Sequence, residues 1–312
     1  MNLAPLAQIL TAHAQTADNN TALALSDTHE TVSHDRFNRI NHLLRLTSVL
    51  TSLVLRLQLV RGSLILDDTI LEKFTTKLSC VFKLRDTKRN CYLLGLNIVL
   101  LCWTNGKRTI PIAFRIYVAQ GINKFDLALQ LLEFAHDVLK LNPEYVLFDS
   151  WYASASVLKQ CRAFNWHFVT RLRQNRIFCG KPLKRVHNGI PYWGAVGFLK
   201  GEIAVVVYRH GGKYFASSDL DLTRDQVRGL YSSRTGIEEV FRVLKQECGW
   251  QGVQARQVRS YRTQLSLGVL GFLWLESLAK VRKCSVYKLR RRLISGRLRL
   301  LEADALEFLN AA

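Results

Sequence analysis

Two short apolar runs, each closed by an acid, limit the fold of this chain more than any other feature. Ser63-Leu64-Ile65-Leu66 leads into Asp67-Asp68-Thr69, and Tyr145-Val146-Leu147-Phe148 leads into Asp149. Apolar runs of this length between polar boundaries read as buried strands. In an open sheet the carboxyl ends of strands gather at one edge, so acids far apart in sequence can meet there. A single Asp at a strand end is usually a cap or turn residue. Two of them, in this order, point to a mixed α/β sheet with a chemically active edge.

The sequence around these runs fits that sheet. Cys91 to Trp103 and Thr109 to Val118 are β-rich and are joined by Asn105-Gly106, a strong hairpin signal. Lys124 to Leu141 reads as an amphipathic helix with Leu127, Leu131, Leu132, Ala135, Val138 and Leu139 inward. After Asp149 come Ser150-Trp151-Tyr152, a helix from about Ser154 and a strand over Trp166 to Leu172. Between 173 and 222, glycines such as Gly180, Gly194 and Gly201 punctuate short alternating β segments, which read as a β-rich insertion. Helix is expected from Thr223 onward, and Lys280 to Arg299 is densely basic and helical.

Residues 1–60 read as helical. A short helix near Thr21–Ser26, a turn over Asp27–Thr31 and a helix capped by Ser33 fit a helix-turn-helix. Its second helix would present Arg36, Asn38, Arg39 and His42 to the major groove. An ordinary helical subdomain with a solvated polar face is the competing account. The expected divisions are 1–60, a helical N-terminal region; 61–172, the first part of the core; 173–222, the insertion; 223–280, the rest of the core; and 281–312, a basic helical end.

Charge narrows the partner. The 312 residues carry 44 Lys+Arg against 24 Asp+Glu, a formal net charge of +20, which calls for a polyanion, with nucleic acid first. An anionic membrane surface is second, but no basic amphipathic anchor stands out. The seven cysteines are scattered, with no C-x-x-C pair and no zinc-spaced histidines, so reduced thiols in a cytoplasmic protein are expected. The start, MNLAPLAQILTAHAQ, lacks the pattern of a signal peptide. Leu265 to Leu275 is the most apolar helical stretch; it reads as a buried core helix too short to span a bilayer, and no membrane partner is expected.

A third acid lies in Tyr231 to Trp250, YSSRTGIEEVFRVLKQECGW. Tyr231, Arg234, Glu238 and Lys245 follow one another at intervals of three, four and seven, so an unbroken helix would gather all four on one face. Ile237, Val240, Phe241 and Leu244 form the neighbouring apolar stripe. Thr235-Gly236-Ile237-Glu238 also spells a capping box, in which Glu238 would only fold back on the helix start. Gly236 weakens an unbroken helix and leaves room for Tyr231 to sit on a preceding turn. Asp67, Asp149 and Glu238 without Cys or His ligands suit hard divalent cations, Mg²⁺ or Mn²⁺. Two such ions about 4 Å apart can activate a water or 3′-hydroxyl and steady the leaving oxygen of a phosphodiester. Asp68 competes with Asp67 for the first ligand position.

With these residues in view, the chain resembles the bacterial insertion-sequence DDE transposases, specifically the insertion sequence four-like group marked by Tyr-x2-Arg-x3-Glu-x6-Lys. Tyr231, Arg234, Glu238 and Lys245 match every spacing, and the Asp blocks match Leu66-Asp67-Asp68-Thr69 and Asp149-Ser150-Trp151-Tyr152. The resemblance covers roughly residues 30–280. It implies a ribonuclease H-like mixed sheet with helices on both faces and a β-rich insertion between the second Asp and the Glu. It also implies Asp67, Asp149 and Glu238 as ligands of two Mg²⁺ or Mn²⁺ ions, with Tyr231, Arg234 and Lys245 holding DNA phosphate. The implied reaction is cut-and-paste transposition through hairpin intermediates on double-stranded transposon ends and target DNA. A homodimer in the DNA complex and a place on the bacterial nucleoid go with it. Trp193, in Pro-Tyr-Trp-Gly, reads first as a core residue and second as a platform for a base flipped from the hairpin tip. Two rival functions are a catalytically silent DNA-binding regulator, which a lost acid or broken quartet would mark, and a metal-dependent nuclease without strand transfer.

Overall fold

The first apolar run does form a strand, and in the computed structural model that strand is longer than the run: it spans Ser63–Glu72 and passes straight through Asp67 and Asp68. The structure describes residues 3–16, 46–74, 78–86, 89–118, 121–186, 189–253, 255 and 257–311. The expected helix-turn-helix, with Arg36, Asn38, Arg39 and His42, falls outside them.

In chain order the elements begin with helices α1 (Ala4–Gln15) and α2 (Leu46–Arg56), then strands β1 (Ser63–Glu72), β2 (Phe82–Asp86), β3 (Cys91–Thr104) and β4 (Thr109–Ile116). Helix α3 (Lys124–Glu133) runs into a π-helical turn over Phe134–Val138, followed by β5 (Tyr145–Phe148), α4 (Ala155–Ala163) and β6 (His167–Leu172). Next come β7 (Ile177–Phe178), β8 (Lys181–Pro182), the single turn α5 (Leu183–Val186), β9 (Ala195–Leu199), β10 (Ile203–His210) and β11 (Lys213–Ser217). The chain ends in α6 (Arg224–Ser233), α7 (Gly236–Gln246), α8 (Val258–Val281), α9 (Val286–Ile294) and α10 (Glu302–Ala311).

These elements form two compact units, each drawn from separate parts of the sequence. One contains Leu59–Thr69 and Ile98–Glu238. Its strands lie in the order β4-β3-β1-β5-β6-β11-β10-β9-β7-β8 within one mixed sheet. β1 pairs with β5 in parallel, Ser63 against Tyr145 through Leu66 against Phe148, and β5 pairs with β6 in parallel. β11, β10 and β9 continue antiparallel to one another, with β11 antiparallel to β6. The Asn105-Gly106 signal is realised as the β3–β4 hairpin: Gly106 takes φ 83°, and the Asn105 amide donates to the Arg108 carbonyl. Asn123 and Asp126 close a capping box at the start of α3. Helix α3 packs on β4 and α4, while α6 packs on β5, β6 and β11.

The other unit contains Met1–Gln58, Ile70–Asn97 and Glu239–Ala312. Here β2 pairs antiparallel with the first half of β3. Helix α8 is 24 residues long, longer than the expected Leu265–Leu275 stretch. By length and composition it could cross a membrane, yet two thirds of its apolar window is buried inside the fold. Gly268 lets the helix meet Trp250, whose indole N–H donates to the Leu265 carbonyl at 3.0 Å. Helix α1 packs against α8, α9 and α10, and the Gln15 amide donates to the Leu300 carbonyl at 3.4 Å. Arg290, only 3% exposed, spreads its guanidinium over the carbonyls of Ala14, Thr16 (2.7 Å) and Glu247 (3.1 Å). Such charge-assisted bonds satisfy carbonyls left open at the end of α1.

Candidate active site

Strand register brings the two aspartates together. The last parallel pair of β1 and β5 is Leu66 with Phe148, so Asp67 and Asp149 are the next residue on each strand. Their side chains therefore leave the same face, and the Asp149 charge is felt at Asp67. The expectation that β1 ends at the acids is corrected: β5 ends at Phe148, whereas β1 runs on to Glu72. The strand end that exposes Asp67 is the end of its neighbour.

Each acid is held by local bonds. The Asp149 carboxylate accepts from the backbone amides of Trp151 (2.8 Å) and Tyr152 (3.4 Å) through one oxygen, an Asx turn that fixes its rotamer. Buried Thr170, on β6, donates its hydroxyl to the carbonyls of Phe148 and Asp149 and pins that strand end. Asp67 accepts the Asp68 amide at 2.9 Å on Oδ1 and Arg234 Nη1 at 2.5 Å on Oδ2. Burial pushes the Asp67 carboxyl up to about 7; Arg234 opposes the rise, while Asp68 and Asp149 add to it. Pleating turns Asp68 the other way, where it meets Lys124 Nζ and the hydroxyl of fully buried Tyr152, each at 2.9 Å. Asp68 is thus committed to a structural ion pair and Asp67 faces the cluster.

Arg234 is the hub. Its Nη1 contacts Asp67 and its Nη2 lies 3.7 Å from Glu238 Oε1. Burial alone would lower its pKa; Asp67, Tyr231, Asp149 and Glu238 together raise it. Half of the Glu238 side chain remains exposed.

The single unbroken helix is corrected. α6 ends at Ser233 and α7 begins at Gly236, with Arg234 and Thr235 in the turn between them. Hydroxyls of Ser232, Ser233 and Thr235 donate back to the carbonyls of Gly229, Leu230 and Ser232, a competition that bends and ends helices. The Glu238 amide donates to the Thr235 backbone carbonyl at 3.0 Å instead of the Thr235 hydroxyl, so the capping box is not closed. Tyr231 lies on α6 and stacks edge-on against Phe215 of β11, with ring centroids 5.2 Å apart. The apolar stripe of α7 holds, with Ile237, Val240, Phe241 and Leu244 all buried. Lys245 belongs to the other unit, where its Nζ donates to the Ile70 carbonyl at 2.9 Å. Trp193 is not a core residue: it is 79% exposed, on the turn before β9, beside Tyr192.

One feature was not foreseen. Arg171 on β6 places a positive charge near Tyr231, and its Nε is buried with no acceptor. The Tyr231 hydroxyl and Arg234 Nε are likewise buried without an acceptor. Buried donors left unmet are costly. Three of them lie near the carboxylate cluster. Alternation along β6 could have flagged Arg171 as a charge inside an apolar strand.

The family model of the transposase DDE domain matches residues 60–273, more than half of the chain. The chain belongs to the DDE transposase family. Enzymes of this family cut DNA, catalyse transposition and depend on metal ions, typically Mg²⁺ or Mn²⁺. No curated protein sequence matches this transposase. Among solved structures, it is similar to the piggyBac transposase synaptic complex with hairpin DNA, at 16% identity and a TM-score of 0.56, covering 99% of this chain and 71% of that one. At that identity the likeness concerns the fold: a large mixed sheet with several helices.

The donor set of this DDE transposase suits a hard cation. Asp67, Asp149 and Glu238 offer only oxygen, the ligand type that Mg²⁺ and Mn²⁺ prefer. Among the described residues, no three His, Cys, Asp or Glu side chains stand within reach of one ion. Glu238 is half exposed and stays paired with Arg234.

Proposed function

We propose that this protein is a DNA transposase of the insertion sequence four-like group, with a ribonuclease H-like catalytic core. The observation that carries the reading is the register that sets Asp67 beside Asp149, joined to Glu238 through Arg234. In this reading those three acids hold two Mg²⁺ or Mn²⁺ ions. Bound there, the ions supply an activated water or 3′-hydroxyl and stabilise the leaving oxygen.

The protein's own groups account for the rest. The Asx turn and Thr170 keep Asp149 in one rotamer, and Lys124 and Tyr152 hold the β1 backbone through Asp68. Arg171, Tyr231 and Arg234 direct their open donors at phosphate oxygens. Lys245, the fourth residue of the signature, is assigned to DNA phosphate as well. The net charge of +20 supports double-stranded DNA, transposon ends and target, as the substrate. Cut-and-paste through hairpin intermediates, a homodimer on the DNA, end reading by Arg36 and Arg39, a stacking role for Trp193 and nucleoid association belong to the same proposal. So do the divisions at 60, 172, 222 and 280. The similar solved structure, a piggyBac transposase synaptic complex with hairpin DNA, supports the hairpin route.

The test is cleavage and joining on DNA carrying the repeats that flank the coding region. Wild-type protein should nick and join in Mg²⁺ and only bind in Ca²⁺. Asp67→Asn, Asp149→Asn and Glu238→Gln should bind within about threefold of wild type and do neither step. Joining by any of the three variants, or cleavage without joining by wild type, would overturn the reading; the latter result is that of a plain nuclease.

A further inference from the structure

Next to Asp149, within the same unit, lies a cavity of about 470 Å³ whose walls differ in chemistry from the acid cluster. Ser150, Trp151 and Phe125 line one side; Arg173 and Arg176, after β6, and Lys200, after β9, line the other. The volume is that of a small-ligand site and not of a groove for a duplex.

The aromatic wall is partly exposed and flanked by cations, with Lys124 Nζ 5.4 Å from the Trp151 ring centroid. Trp151 is 45% exposed and lies nearly parallel to Phe125, with ring centroids 6.2 Å apart and planes 18° apart. The Arg173 guanidinium sits 5.0 Å from the Trp151 ring centroid. Exposed aromatics beside cations are the combination that holds a nucleobase and its phosphate without reading sequence.

Arg176 supplies the second, independent observation. Its Nε and Nη2 are buried and have no acceptor. These two N–H groups form one edge of the guanidinium, the edge that grips two oxygens of a phosphate at once. Burial also lowers the Arg176 pKa, so the chain bears a cost here that no group of its own offsets.

We propose that this cavity binds one unpaired nucleotide of a DNA strand, its phosphate on Nε and Nη2 of Arg176 and its base against Trp151. The identity of the strand rests on the transposase reading above; stacking and phosphate capture follow from the cavity alone. The Trp151 amide donates to the Asp149 carboxylate, so a nucleotide on this ring is held by a residue two positions from a candidate catalytic acid and bonded to it. Trp193 is not part of this lining, and the two tryptophans are separate sites.

Binding of labelled duplex with short single-stranded tails, compared with a blunt duplex of the same sequence, tests this without cleavage, in Ca²⁺. Trp151→Ala and Arg176→Ala should each weaken the tailed duplex about tenfold and leave the blunt one within about twofold. Trp151→Phe should retain most of the tail preference; Arg176→Lys should not, because lysine has no two-pronged edge. Deoxynucleoside monophosphate should displace the tail, and equimolar inorganic phosphate should not. Equal losses on both duplexes, or no loss in variants that melt like wild type, would overturn the proposal. So would displacement by phosphate alone, which is the behaviour of a plain anion site. Intact tail preference in a protein that fails to cut in Mg²⁺ would instead sink the catalytic reading and leave this one standing.

Discussion

Replacing Asp68 with Ala should cost stability and spare cleavage, whereas replacing Asp67 with Asn should do the reverse. The two residues are adjacent, but the pleat of β1 sends them to different tasks. Asp68→Ala strips the acceptor from the hydroxyl of Tyr152, a fully buried residue, and an unmet buried hydroxyl costs about 1–3 kcal/mol. It also removes the 2.9 Å pair with Lys124, whose side chains are 22% and 19% exposed, worth about 1 kcal/mol more. The expected loss is therefore about 2–4 kcal/mol, read as a lowered urea midpoint at unchanged slope. Asp67→Asn keeps an oxygen for Arg234 and relieves repulsion from Asp149, so stability should move by less than about 1 kcal/mol. Cleavage of end-bearing plasmid at low temperature, where both variants are folded, supplies the second readout. A folded Asp68→Ala protein that cannot cut, beside an Asp67→Asn protein that can, would refute the assignment of the two acids.

Two further outcomes concern His13 and Gly236. Burial, with Arg290 adding to it, lowers the pKa of His13 from 6.5 to about 3, so the native state keeps it neutral while the unfolded state takes up a proton below pH 6.5. Its contribution is fully present above pH 6.5 and is lost as pH falls toward 3, by about 2 kcal/mol between pH 6.5 and 5; His13→Leu should flatten that part of the urea-midpoint profile. Gly236→Ala would press a methyl group into the Thr109 hydroxyl, costing about 1–3 kcal/mol and shifting the start of α7, with Thr109→Ala in the same chain recovering part of the loss of melting temperature and of cleavage.

Sequence carried the strands that bear Asp67 and Asp149, the hairpin at Asn105-Gly106 and the buried stripe of α7, because each is written in local periodicity or turn chemistry. It also put the first two acids at one sheet edge. It could not show that β1 outruns β5, since the length of a strand beyond its acids depends on which neighbours pair with it. The break at Arg234–Thr235 depends on three hydroxyls choosing carbonyls behind them, and sequence offered the capping box as an equal alternative. Arg171, Arg176 and Trp151 were invisible as a group: they come from β6, the loop after it and the turn after β5. The unmet donors of Arg171 and Arg176 exist only once the chain is packed. Trp193 misled because a large indole is usually interior, and nothing local says otherwise.

The pairing of α1 with the far end of the chain bears on how this protein is made. Gln15 reaches the Leu300 carbonyl across 285 residues, and Arg290 closes on Ala14 and Thr16 across almost as many. At about 5–20 residues per second, an apolar helix emerges from the ribosome roughly a quarter of a minute to a minute before the helices at residues 286–311 that help to cover it. Leu6, Ile9 and Leu10, all buried in the finished protein, are open to water or to a chaperone for that interval. A product cut short before residue 286 would keep α8 but lack α9 and α10, leaving α1 only partly covered. Premature termination there should therefore favour aggregated or degraded fragments.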